Sequence, residues 1–268
     1  MKTAFNISAS DVSAINKLFI ELSDESISYI ASSSNDNHSL KIVKFDIEST
    51  VSEKAEALSK LIAADNVLRS KNIQTLVSLS FKQSILTPSQ FHSQEESLSL
   101  LKELYGDSIE EQQYHDDISG IAIINDYSLP VAYDSVLREL FPDATVQHQY
   151  SLLIEKLDSS KALHVLFYFE KIIVIVFNDN KLQIVQSFVY KVPADVIYHL
   201  LNVCKQFDLQ NASITAYGLI EKRSALYEDT HKYFSNFSFA ELPANISPGE
   251  GFTDYPAHFF AHLFYTAS

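Results

Sequence analysis

The residues best suited to chemistry fall into a few groups. His258 and His262, in the run HFFAHLF, stand four apart, a spacing that sets two imidazoles on one helix face within reach of a single metal ion. A hydrolytic zinc helix also needs a glutamate beside the first histidine to act as base, and Phe259 stands there instead. Among phenylalanines, both histidines are read instead as satisfied core or surface groups. His115-Asp116-Asp117 has the makeup of a metal or acid/base cluster, yet it follows Gln112-Gln113 and reads as a solvated connection. Glu21, Asp24 and Asp126 would serve a two-metal nuclease if strand ends brought them together. Serine is abundant, but no Gly-x-Ser-x-Gly elbow exists to expose a nucleophile. Cys204 is the single cysteine, which excludes an intramolecular disulfide and a multi-cysteine zinc site and suits a reducing compartment. It falls within the apolar pattern of a helix, so a buried, inert thiol is expected.

Composition narrows the classes further. A chain of 268 residues with 46% hydrophobic residues is long enough for one large domain or two smaller ones, each with its own core. The formal charge of −14, from 34 acidic against 20 basic residues, opposes binding to a phosphate backbone, and no nucleic-acid partner is expected. Five glycines leave little material for glycine-built phosphate loops. No apolar run approaches the roughly 20 residues of a spanning helix, and the first sixteen residues lack a signal-peptide core. The expectation is a cytoplasmic protein without a membrane span.

The elements that must position these residues are organised around 163–190, LHVLFYFEKIIVIVFNDNKLQIVQSFVY. It reads as three antiparallel strands with a two-residue loop at Glu170-Lys171 and a second turn at Asn178-Asp179-Asn180, where residues tolerate the left-handed region. The first two strands are apolar at nearly every position, so both sheet faces should be covered. A helix opened by Pro193 follows, then a strand at 212–217, a helix at about 224–234, a strand at 237–242 and a last helix at about 255–266. The first half runs the same programme. After a short lead-in, strands at 17–22 and 26–31 flank Ser23-Asp24-Glu25, and a third strand at 40–47 follows the polar turn 32–37. A helix from an N-cap at Ser52 to about Ser70, a strand at 73–79, a helix at 93–105, a strand at 118–124 and a helix at 129–141 come next. A short strand near Thr145 and the apolar segment 150–157 close that half. Three strands, helix, strand, helix, strand, helix, written twice, imply a duplicated α/β architecture with domains at 1–158 and 159–268 joined at Asp158-Ser159-Ser160.

That order resembles the actin-like ATPase fold, two tandem ribonuclease-H-like domains flanking a nucleotide cleft. The pieces FIELSDESISYIA, LFYFEKIIVIVFNDNKLQIVQSFVY and PADVIYHLLNVCKQFDLQNASITAYG are similar to a bacterial family of unknown function with that fold, more remotely similar to actin-like pilus-assembly and type II secretion proteins. Active members of the fold hold ATP with backbone amides in two hairpin turns and with a glycine pair after the second domain's fourth strand. Carried over, the resemblance implies cleft positions at Asp24 and Ser26 in the first turn, Lys171 in the second, and Gly218 as the remaining glycine of the pair. The first turn lacks its glycine, and the second places Glu170 where phosphate would sit. The resemblance therefore implies a pseudo-ATPase that acts through protein partners with no catalytic residue, metal or cofactor. The alternative is a divergent protein that binds ATP and magnesium through side chains such as Lys171 or Ser26.

Overall fold

The computed structural model describes residues 1–8, 15–33, 38–70, 73–106, 110–209, 212–247 and 249–268. Residues 34–37 of the polar turn read from the sequence lie outside this set. The chain divides into two compact units, one of Met1–Glu155 with Ser247–Gly251 and Ala267, the other of Lys156–Ile246 with Phe252–Thr266 and Ser268.

The first unit is built on strands β1 (Lys2–Ile7), β2 (Ile15–Ser23), β3 (Ser26–Ser33), β4 (His38–Lys44), β5 (Gln74–Ser80) and β9 (Thr145–His148), in the order β1-β4-β3-β2-β5-β9. The expected lead-in is thus partly an edge strand. β2 pairs antiparallel with β3, whereas β5 joins β2 and β9 joins β5 in parallel. Leu18, Ile20 and Leu22 of β2, Ile27, Tyr29 and Ala31 of β3, and Val77 and Leu79 of β5 share one face, as the two-residue period of a strand requires. Helices α1 (Val51–Ala64) and α3 (Val131–Leu140) cover it with Ala55, Leu58, Ile62, Tyr133 and Leu137. The N-cap of α1 is Thr50, not Ser52, because only Thr50 has a glutamate three residues on. Glu53 N donates to Thr50 Oγ1 at 3.3 Å, and Thr50 N donates to the Glu53 carboxylate at 2.7 Å. The helix stops at Ala64 rather than near Ser70, where Asp65 accepts from Val67 N at 3.0 Å and turns the chain.

Between β5 and β9 lies an inserted layer: β6 (Ser84–Pro88), α2 (Gln94–Tyr105), β7 (Glu111–Ile118) and β8 (Ile123–Pro130), with sheet order β6-β8-β7. The strand expected at 118–124 is instead the end of β7, a 3-10 turn over Ser119–Ile121 and the start of β8. α3 accordingly begins at Val131, two residues later than expected. The polar spelling of β7 hid it: Asp116 and Ile118 point inward while His115 and Asp117 face solvent. A buried aspartate breaks the apolar alternation that marks a strand.

The second unit carries β10 (Leu163–Phe167), β11 (Lys171–Asn178), β12 (Lys181–Val189), β13 (Ile214–Gly218) and β14 (Phe237–Phe239), ordered β12-β11-β10-β13-β14. This repeats the β4-β3-β2-β5-β9 part of the first sheet, strand for strand, with two antiparallel pairings followed by two parallel ones. Val165, Val174 and Ala216 join one core with Val196, Leu200, Val203 and Cys204 of α5 (Pro193–Gln206). Leu166, Ile173 and Ile175 on the opposite face are equally buried, so both faces are covered, as expected from their unbroken apolar run. The first hairpin turn is Phe169-Glu170, one residue earlier than expected, because Tyr168 N donates to Lys171 O at 2.9 Å and closes the ladder there. The second is Asp179-Asn180, with φ of 50° and 59°. Helices α6 (Ala225–Tyr233) and α7 (His258–Ala267) complete the unit.

Candidate functional site

In parallel α/β sheets, ligands gather where strands end at their carboxyl termini. In the first unit β2, β5 and β9 are parallel, and the far face of their ends is polar. Glu21 lies in register between Ser28 and Ser78, and Ser23 between Ser26 and Ser80. All six are buried. Gln149, the first residue of α4 (Gln149–Lys156), ties the group together: its Nε2 donates to Glu21 Oε2 at 2.5 Å, and its Oε1 accepts from Ser80 Oγ. One donor meets the carboxylate and one acceptor meets the hydroxyl, which fixes the amide's orientation. Ser78 Oγ is enclosed without a hydrogen-bond partner among the described residues.

The adjoining hairpin turn, Asp24-Glu25, holds the candidate Asp24, and the candidate Ser26 follows it as the first residue of β3. Ser23 Oγ accepts from Glu25 N at 3.2 Å and Ser26 N at 3.1 Å, and it donates to Ser26 O at 3.2 Å. A serine hydroxyl thereby occupies the amides that such a turn could offer to an anion. Lys54 Nζ donates to Asp24 O at 3.0 Å, and Phe45 N donates to Glu25 O at 2.8 Å, so the turn's carbonyls are engaged as well. The side chain of Asp24 is exposed and that of Ser26 buried. Burial, and then the negative charge of Asp24, push the Tyr133 hydroxyl above its usual range, and that hydroxyl has no hydrogen-bond partner among the described residues. An added anion here would meet the carboxylates of Asp24 and Glu25, with the Lys54 ammonium already held by the Asp24 carbonyl.

In the second unit the corresponding strand ends are apolar. Gly218 has φ of 81°, and a Cβ placed on it would fall 2.2 Å from the Phe167 carbonyl oxygen. That same oxygen accepts from Leu219 N at 2.7 Å. The glycine is therefore required by the approach of β13 to the end of β10, without any ligand. Lys171 places its ammonium 5.3 Å from the Tyr168 ring centre. The structure thus groups Asp24 with Ser26 at one hairpin, and sets Lys171, at the start of β11, and Gly218, at the end of β13, on either side of the end of β10 in the other unit.

The remaining chemical groups serve packing. His258 Nε2 donates to Ile220 O at 2.7 Å. His262 is fully enclosed against Tyr168, and burial pulls its imidazole down to about 3. His164, on β10, is pulled down to about 4 by burial. Its Nδ1 lies 3.1 Å from the Tyr217 hydroxyl and its Nε2 3.0 Å from Asp158 O, which suits a neutral ring accepting from the tyrosine and donating to the carbonyl. Asp116, read from the sequence as part of a solvated cluster, is instead a buried strut. It accepts from Tyr127 Oη at 3.0 Å and from His148 N at 2.7 Å, while burial raises its carboxyl despite these bonds. Asp126 lies 3.0 Å from His92 Nε2 and Glu21 is held by Gln149, so the carboxylates imagined for a nuclease have separate partners. No group of three or more histidine, cysteine or acidic side chains placed to hold a metal ion occurs among the described residues. Cys204 is buried, which raises its thiol. The sequence marks Glu21 only as a possible nuclease carboxylate and Ser23 only as a turn residue, and Ser80 and Gln149 carry no signal, since their meeting depends on the parallel register of β2, β5 and β9.

Among the described residues no helix is long and apolar enough to cross a membrane. No curated protein matches the chain by sequence. Among solved structures, the chain is similar to a Bacteroides thetaiotaomicron protein with actin-like ATPase fold and unknown function, at 18% identity and a TM-score of 0.72 over 85% of this chain and 91% of that one. It is also similar to the ethanolamine utilization protein EutJ from Carboxydothermus hydrogenoformans, at 8% identity and a TM-score of 0.54 over 94% and 88% of the two chains. The cytoplasmic domain of EpsL, an inner membrane component of the Vibrio cholerae type II secretion system, is similar at 13% identity and a TM-score of 0.47 over 92% and 99%. At these identities the likeness shows the fold, which is the actin-like ATPase fold expected from the element order. The model of the family described as protein of unknown function DUF3822 matches residues 6–237, and the chain belongs to that family.

Proposed function

We propose that the chain is a non-catalytic protein of actin-like fold that acts by binding other proteins, with domains at 1–158 and 159–268 and no nucleotide cofactor. The observation that carries this reading is the Ser23 hydroxyl held by Glu25 N and Ser26 N. Those are the amides that the fold's resemblance to ATP-binding members would direct at phosphate, and here a neutral oxygen of the chain already fills them. Two further features support it: the turn's own residues are carboxylates, and Gly218 is crowded by a backbone carbonyl rather than open to a base or phosphate. A net charge of −14 disfavours nucleic acid as the partner.

Thermal denaturation with and without millimolar ATP and Mg²⁺ tests the reading. A ligand at 100 times its dissociation constant stabilises by about 2.7 kcal/mol, which is readily measured. The midpoint is expected to stay where it is, and a saturable upward shift would replace this reading with that of a divergent ATP-binding protein.

A further inference from the structure

The layer inserted between β5 and β9 differs in charge from the rest of the chain. Residues 81–130 contain nine acidic and two basic residues, a formal charge of −7, half of the chain's −14 in under a fifth of its length. Within it α2 buries Ser97 and Leu101, while Leu100 and Leu104, one turn apart, remain 44% and 61% exposed. Glu96 and Glu103 stand four before and three after Leu100, so acidic groups border the two leucines along the same side of the helix. At one end of the small sheet Ser89 N donates to Ala122 O at 2.8 Å, which brings Phe91 and Ile121 to that end, exposed by 69% and 40%. Scattered exposed apolar side chains are ordinary. Leu100 and Leu104, side by side on one helix and bordered by carboxylates, are a surface with a chemical preference.

We propose that this layer docks a cationic amphipathic helix of a partner protein, its apolar stripe on Leu100 and Leu104 and its lysines or arginines against Glu96 and Glu103. The occupant follows from charge. A second copy of the chain would set Glu96 and Glu103 against their own kind, and an anionic lipid surface or nucleic acid would be repelled in the same way. A helix with basic residues flanking leucines meets both the apolar stripe and its acidic border. This deepens the protein-binding reading above and rests on it, but its test uses a different ligand, so failure of one does not decide the other.

The probe is a fluorescent 18-residue peptide of leucine and lysine in helical amphipathic order, titrated with the full chain and followed by anisotropy, beside a peptide of the same composition in scrambled order. Saturable binding is expected, at least tenfold weaker for the scrambled peptide and weaker again as salt is raised. The Leu100→Ser/Leu104→Ser double variant should lose at least tenfold in affinity with its thermal midpoint retained. Val189→Ser, an exposed change on β12 of the other unit, should leave affinity unaltered. If the double variant misfolds, Glu96→Lys/Glu103→Lys, on the exposed side of the helix, serves instead and should weaken binding at least fivefold. Equal affinity for both peptides, or unchanged affinity in a folded variant, overturns the proposal. So does binding of the chain to phosphatidylglycerol vesicles that the double variant abolishes, which would assign the surface to a membrane.

Discussion

Gly218 shows how one residue type carries two meanings. In the sequence it is the remaining member of a nucleotide-binding glycine pair, and in the structure its lack of a Cβ lets β13 close on Phe167 O. The two meanings make different demands on a substitution. Gly218→Ala forces an alanine to φ of 81° and sets its Cβ inside the contact distance of a carbonyl oxygen. We expect a loss of at least about 2 kcal/mol, read as a lowered urea midpoint in the absence of any nucleotide. Unchanged stability would show that the glycine serves something other than packing. Asp116 and the pair His258 and His262 teach the same lesson. The phenylalanine neighbours leave core and surface open for the histidines, and the structure buries both, whereas the polar neighbours of Asp116 suggest a solvated residue and it too is buried. A buried acid is recognisable only from its partners, and Tyr127 and His148 are 11 and 32 residues away.

At the scale of elements, the legible parts were those fixed by local chemistry. Pro193 opens α5, assisted by the Asp195 carboxylate accepting from Lys191 N at 2.8 Å and Val192 N at 3.1 Å. Asp179-Asn180 joins β11 to β12 through two residues in the left-handed region, where asparagine and aspartate are tolerated and β-branched residues are not. Asn180→Val should therefore destabilise the second unit by about 1–2 kcal/mol, measured by denaturant unfolding. A change below a few tenths would mean that the turn relaxes to another type at little cost. The illegible elements were β6, β7 and β8. They are short or polar: β7 and β8 are neighbours in the chain, but Asp116, Asp117, Asn125 and Asp126 break their apolar alternation, and β6 reaches β8 only across α2 and β7, beyond any short window of sequence.

For the whole molecule, acid should act unequally on the two units. His164 and His262 both belong to the second unit and are held neutral by burial, at about 4 and about 3 against an ordinary value of 6.5. The unfolded chain binds these protons first as pH falls, so the stability they confer is complete above about 6.5 and is lost on going down to 4. His164 alone accounts for about 3 kcal/mol of it. In the first unit Asp116 is raised by burial, so the folded state takes up that proton ahead of the unfolded one and its contribution grows as pH falls. After equilibration at pH 7 and at pH 4.5, a short deuterium pulse at one fixed pH should show residues 163–177 losing protection at the lower pH before residues 18–31. Equal loss in both segments would contradict the assignment. Residue order alone was enough for the succession of strands and helices in the second unit, the need to cover both faces of β10 and β11, and the acidic character that disfavours nucleic acid, because hydropathy period, turn chemistry and charge are local or additive quantities. That Gln149 reaches Glu21 across 128 residues, and that Gly218 answers to a carbonyl, came from the folded chain alone. Those outcomes depend on the register of parallel strands, which unites residues far apart in the chain and leaves no mark on their neighbours.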